Sequence, residues 1–223
     1  SNNGVYPISL YCGILDSNVT GNTGSGNGTD AIEVRSGDIT SNRTWVSQDL
    51  YFNVTEGTTF GITHVYNGAI LTIEPGCLVK FDAHTAIHIG YFSAATLIAD
   101  GTSDKPITFT SNVASPAPGD WKGIVFYYST VATSTIMDHC TVEYGGYGSS
   151  NSNINCNRAS PAIQNCIIRN SDGYGIYTTG SGADPLVSCS TITNNTHGVY
   201  VESGNPAIAG CRISGNTGYG VYT

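Results

Sequence analysis

The sequence predicts an all-β fold: a parallel β-helix, or solenoid, of about seven coils preceded by an N-terminal extension. Three observations carry this. Only 11% of the 223 residues are charged and 28 are Gly, whereas Ile, Val and Thr together number 62 against 7 Leu and 5 Glu. That balance favours pleated, half-buried strands over long solvated helices. The C-terminal third then repeats itself: PAIQNCIIRNSDGYGIY starts at Pro161, PLVSCSTITNNTHGVY at Pro185 and PAIAGCRISGNTGYGVY at Pro206. Finally, the remaining chain from Ala69 onward breaks into short apolar runs between Gly, Asn, Asp and Pro turns, the signature of many short strands.

The N-terminal extension comprises residues 1–30. Its first part, with Val5, Tyr6, Ile8, Leu10, Tyr11, Cys12, Ile14 and Leu15, is apolar and strand-like, and residues 16–30 are a polar Asn/Gly/Ser/Thr linker expected to be flexible. Residues 31–68 read as lead-in or capping strands, and residues 69–223 as the β-helix. Within it, Cys140, Cys166, Cys189 and Cys211 fall at near-equal intervals, and Gly175, Gly198 and Gly220 follow the last three in step. A unit of about 22 residues cannot bury its apolar side alone. Stacked units bury it, each strand pairing with its copy about 4.8 Å away. Cys, Ile and Val then form inward ladders, with either Cys189 or Ser190 in the inward slot of its coil. Asn170 or Ser171, Asn195 and Asn216 form a turn ladder. Residues 111–120 and 145–153 are polar excursions from the stack.

The formal net charge is -8, which excludes nucleic acid and anionic membranes as partners because both require a basic footprint. No run of about 18 apolar residues spans a bilayer. Few Lys, abundant Asn, Ser and Gly, and seven Cys predict an extracellular or cell-surface chain. Glycosylation sequons stand at Asn18, Asn27, Asn42, Asn53 and Asn194, about as many as chance supplies.

The run LTIEPGCLVKF, followed by TLIADGTSDKPITFTS, PAPGDWKGIVF and CTVEYGG, resembles the right-handed parallel β-helix repeats of exported prokaryotic proteins in the pectin-lyase-like superfamily. TWVSQDLYFNV from Thr44 is similar to the strand that leads into them. The resemblance covers roughly residues 38–223 and implies a right-handed coil. It implies no single activity, since such helices serve as polysaccharide lyases, hydrolases, adhesins and surface-layer or stalk components.

The chemistry-bearing residues are sparse. Asp138, His139 and Glu143 lie close on one strand, and Asp172, Asp184, His197 and Glu202 fall in turns of the last coils. Of the polygalacturonase-like motifs only Thr196-His197-Gly198 comes near one, and Arg158, Arg169 and Arg212 lack the Asp-rich cluster of a lyase site. No catalytic residue is therefore assigned. No Cys-x-x-Cys occurs, and His84 and His88 are too far apart along one strand to share an ion, leaving no cofactor except Ca²⁺ on acidic turns. Cys12, Cys77 and Cys156 stand off the Cys ladder and allow one disulfide. Tyr177, Tyr200 and Tyr222 share a repeat slot and form an outward stripe, suited either to sugar rings or to a cross-strand stack. The expectation is a non-enzymatic surface protein, self-assembling head to tail through the N-terminal strand or capped by that strand itself. The alternatives are a polysaccharide-binding adhesin and a polysaccharide lyase or glycoside hydrolase.

Overall fold

The structure, a computed structural model, describes residues 3–148 and 151–223. Two residues of the second excursion, 149 and 150, and the first two of the chain lie outside these. Strands β1 (Ile8–Tyr11), β2 (Ala31–Arg35) and β3 (Asp38–Ile39) open the stack. The first full coil is β4 (Arg43–Trp45), β5 (Tyr51–Thr55) and β6 (Ile62–Val65), and the second is β7 (Ala69–Ile73), β8 (Leu78–Phe81) and β9 (Ala86–Ile89). The third is β10 (Ala95–Asp100), β11 (Ile107–Ser111) and β12 (Gly123–Phe126), and the fourth β13 (Ile136–Asp138), β14 (Cys140–Glu143) and β15 (Ser152–Asn157). Then come β16 (Ala162–Gln164), β17 (Ile167–Arg169) and β18 (Tyr174–Thr179), and β19 (Leu186–Ser188), β20 (Thr191–Thr193) and β21 (His197–Val201). The seventh is β22 (Ala207–Ala209), β23 (Arg212–Ser214) and β24 (Val221–Tyr222).

Every pairing is parallel, and three sheets result: a first of nine strands, β1-β2-β5-β8-β11-β14-β17-β20-β23; a second of seven, β4 to β22; and a third of eight, β3 to β24. This is a right-handed parallel β-helix. No α-helix occurs among the described residues, and none is long and apolar enough to cross a membrane. Six of the full coils lie from Ala69 onward, and residues 31–68 contain the first full coil together with β2 and β3.

Alternation along each short strand sends every second side chain inward, so like residues stack coil upon coil. One column of the first sheet reads Ile32, Phe52, Val79, Phe109, Val142, Ile168, Ile192 and Ile213. The second sheet contributes Ile73, Ala99, Met137, Ile163, Val187 and Ile208. The third contributes Ile87, Ile124, Ile154, Ile176, Val199 and Val221. The first excursion pins itself with Ser111 Oγ donating to Asp120 at 2.6 Å, then returns through Trp121. That indole is fully buried, lies 4.0 Å from the Phe81 ring at 7°, and donates Nε1 to the Glu143 carbonyl at 2.9 Å.

At the corner between the first and third sheets the ladder runs through Ser171, Asn195 and Asn216. The amide of Ser171 donates to Asn195 Oδ1 at 2.9 Å, and that of Asn195 to Asn216 Oδ1 at 3.0 Å. Asn170 instead takes a left-handed φ of 57° beside it. The recurrent glycine follows from close approach: a Cβ on Gly175 would meet the Gly198 carbonyl oxygen at 2.7 Å, and one on Gly198 would strike that of Gly220.

The cysteines resolve by register. Extending the paired positions by one residue aligns Cys77, Ile107, Cys140, Cys166, Ser190 and Cys211 in one column. Cys77 therefore belongs to the Cys column, against expectation, and Ser190 rather than Cys189 takes the inward slot. Cys189 is exposed, at φ 51°, on the turn that absorbs the extra residue. Cys12, Cys77 and Cys156, expected to offer a disulfide, are three separate buried free thiols. Cys156 sits in another column, between Phe126 and Thr178. Burial pushes the Cys12 and Cys77 thiols up to about 12 and raises that of Cys156 further.

The N-terminal strand closes on its own chain. β1 extends the first sheet, with Ile8 opposite Ile32 and Leu10 opposite Val34, and Cys12 and Leu15 are buried beneath it. Tyr11 lies under the Arg35 guanidinium at 3.9 Å, while Val5 and Ile14 face solvent and Tyr6 caps Asn53 through a 2.7 Å bond. The segment expected either to cap its own helix or to be donated to a neighbour pairs here with β2 of its own chain. The linker expected to be flexible is tied down: Gln48 Nε2 donates to the Val19 carbonyl at 3.0 Å, and the Thr44 amide to Asp16 Oδ1 at 3.1 Å.

Candidate functional site

The outward face of the third sheet carries a continuous column: Asp38, His64, His88, Val125, Asn155, Tyr177, Tyr200 and Tyr222. Tyr177 and Tyr200 stack at 5.3 Å and 3°, and Tyr200 and Tyr222 at 5.1 Å and 19°. A second file, Tyr174, His197 and Tyr219, runs beside them, with His197 Nδ1 accepting the Tyr219 amide at 3.0 Å. Within the stack Tyr200 is covered on both faces, by Tyr177 and Tyr222, which is the cross-strand arrangement.

Lower in the same column the structure brings together two histidines that sequence spacing missed. His64 and His88, one coil apart, have ring centroids 5.3 Å apart beneath Tyr91 and Phe92. Burial pulls the His64 imidazole below its ordinary value and drives His88 to about 3, helped by repulsion from His64 and Lys122. Only in-register pairing of strands more than twenty residues apart makes them neighbours. His84 lies elsewhere, in the turn between β8 and β9.

The acidic residues do not converge. Glu143, 8% exposed, accepts Arg169 Nε at 2.6 Å and Thr110 Oγ1 at 2.9 Å, one partner from each adjoining coil. Asp138 accepts Asn165 Nδ2 at 2.8 Å and lies 2.8 Å from His139 Nδ1. Glu202 receives Tyr177 Oη at 2.8 Å and the Thr179 hydroxyl, which hold its carboxyl below the usual range. Asp184 accepts the Asn205 amide at 2.6 Å, and Asp172, Arg158 and Arg212 point to solvent. Calcium asks for six to eight oxygens. Among the described residues no three His, Cys, Asp or Glu side chains are grouped so that they could hold a metal ion. Of the sequons, Asn18, Asn42 and Asn194 are exposed and Asn27 is half-buried against Asp30. Asn53 is fully buried under Tyr6 and Asp82, which rules it out as a glycan carrier in the folded chain.

At the corner between the first and third sheets, successive turns leave a cleft of about 310 Å³ lined by Glu56, Phe60, Gly61, Ala83, His84, Lys122 and Tyr147. Phe60 is 85% exposed at φ 52°, and the Tyr147 ring sits 4.3 Å from that of His84. No regular spacing announces this set, because each turn contributes at a different offset.

Residues 37–157 match the family model described as a pectate-lyase like beta helix domain. The chain belongs to the pectate-lyase-like β-helix family. No curated protein and no solved structure matches it. A pectate-lyase-like β-helix can carry an active site or serve without one, so the disposition of the charged groups bears on function more than the family does.

Proposed function

We propose that the chain is a non-catalytic, extracellular β-helix scaffold of a cell surface or secreted assembly. The observation behind this reading is that three of the candidate carboxylates are engaged between coils: Glu143 with Thr110 and Arg169, Asp138 with Asn165, Glu202 with Tyr177 and Thr179. A general acid or base must stand free to meet a substrate proton, and paired glycosidase carboxylates must face one another across about 5 to 9 Å. These groups instead staple neighbouring coils. Burial withholds the thiolate that oxidation requires from Cys12, Cys77 and Cys156, so these three free thiols are compatible with an oxidising location. With β1 paired to β2, the scaffold keeps its N-terminal strand rather than donating it to a second copy.

The test is Glu143→Gln, with Asp138→Asn beside it. As a staple, Glu143 loses its charged bond to Arg169, and the variant should be less stable by about 1–3 kcal/mol in urea unfolding. A catalytic carboxylate usually sits in a strained or desolvated site whose neutralisation stabilises the fold. Unchanged or increased stability in both variants would count against the scaffold reading.

A further inference from the structure

We infer that Lys80 and Asn53 join through an intramolecular amide bond, a covalent staple between the first two full coils that forms with loss of ammonia. The inference goes beyond the scaffold reading and does not rest on it. Strand pairing sets Lys80 of β8 directly opposite Asn53 of β5 on the outward face of the first sheet. One coil step of about 4.8 Å separates them, within reach of the flexible four-carbon lysine stem. Tyr51 roofs the pair. Its hydroxyl donates across two coils to Asn112 Oδ1 at 3.5 Å, and its ring centroid lies 4.4 Å from Lys80 Nζ. Lys80 enters no ion pair among the described residues, so no carboxylate holds its amine elsewhere.

Asn53 is the side chain the fold leaves half finished. It is fully buried, which keeps bulk water off its carboxamide carbon. Its Nδ2 donates to Tyr6 Oη at 2.7 Å and to Asp82 Oδ1 at 3.2 Å, whereas its Oδ1 is buried without a hydrogen-bond partner. A buried carbonyl oxygen left bare is costly. The donor in register to fill it is the Lys80 ammonium, and filling it brings Nζ beside Asn53 Cγ, the proximity that makes neighbours into reactants. Asp82 stands on the other side, against the nitrogen that must leave, and Asn112 Nδ2 fixes the same Asp82 oxygen at 2.9 Å. The step balances within the chain. Asp82 takes one proton from Nζ, and the freed lone pair forms a bond to Asn53 Cγ. A second Nζ proton passes to Nδ2 and the Cγ–Nδ2 bond breaks. Ammonia leaves with the proton that Asp82 held, as ammonium, and no oxidant or co-reactant enters.

The test is mass spectrometry of the whole native chain, held after purification until its mass is constant. That mass should fall one ammonia short of the sequence. Cleavage after glutamate parts Asn53 from Lys80 at Glu56 and Glu74, so the two peptides should emerge as one joined product, and trypsin should fail to cut after Lys80. Lys80→Arg should carry the full mass. Asp82→Asn should keep most of its ammonia over the same holding time, with circular dichroism showing its strands intact. A native chain of full mass would overturn the inference. So would an ammonia loss that persists in Lys80→Arg, which marks a succinimide at an Asn-Gly pair such as Asn67-Gly68, or a joined product that links Lys80 to Asn112. Complete loss of ammonia in Asp82→Asn would overturn the role given to Asp82.

Discussion

His88 shows how a side chain can be chemically conspicuous and still be a packing element. Its neighbours are His64, Tyr91 and Tyr127 on the third sheet, with Lys122 on the adjoining turn and Asp38 acting on His64. A folded-state value near 3 lies far below that of an unfolded histidine, so acid favours the unfolded chain, which binds the extra proton. Stability is fully present above about pH 6.5 and drains as pH falls towards 3, by about 3 kcal/mol at pH 4 from this group alone. Urea titrations from pH 7 to pH 4 should show that slope in the native chain and a shallower one in His88→Phe. An equal slope in both would remove His88 from the account. At this scale the sequence was legible for the Cys column only in part. Cys189 and Ser190 are both small enough for the inward slot, and only the hydrogen bond from the Cys166 amide to Ser190 Oγ at 3.0 Å separates them. Cys77 was hidden because Ile107 occupies the slot between it and Cys140.

Among the elements, the corner ladder concentrates side-chain bonds to backbone on three coils. Buried Asn195 accepts the Ser171 amide and donates Nδ2 to the Ile168 carbonyl at 3.3 Å and to Asn216 Oδ1 at 3.1 Å. Asn195→Ala strands buried partners on two coils and should cost about 2–3 kcal/mol, or roughly 5–10 °C in thermal midpoint. Half-buried Asn216, whose partners can turn to water, should cost about 1 kcal/mol on the same change. Circular-dichroism melts of the two variants test the order, and equal losses would contradict it. The ladder was readable in advance because Asn195 and Asn216 recur at one repeat length. The early coils were not, because the excursion after β11 and the uneven turns around β5 and β6 break the spacing while leaving the strand register intact. For the same reason the cleft lined by Phe60, His84, Lys122 and Tyr147 left no periodic mark in the chain.

For the molecule as a whole, stacking made the fold legible and the function much less so. Apolar runs between turns, repeated, admit few architectures, whereas charged groups on the outside acquire meaning only once the coils are in register. Glu143 and Arg169 are 26 residues apart and read as unrelated until β14 and β17 pair. The N-terminal strand is a second case, since apolarity alone fits both a cap and a donated strand. Because β1 covers β2, deletion of residues 1–15 should uncover an apolar edge, lower the melting midpoint and promote association. Sedimentation should find the full chain monomeric and the truncated chain aggregating, while a full chain that polymerises and a truncated one that does not would restore strand donation. The most direct measurement of the central claim is product analysis by mass spectrometry after prolonged incubation of the full chain with polygalacturonate, alginate and neutral plant and bacterial glycans, with and without calcium. The scaffold account predicts unaltered chain lengths and no unsaturated ends under every condition. Shortened products formed by the native protein and lost in Glu143→Gln or Asp138→Asn would contradict it.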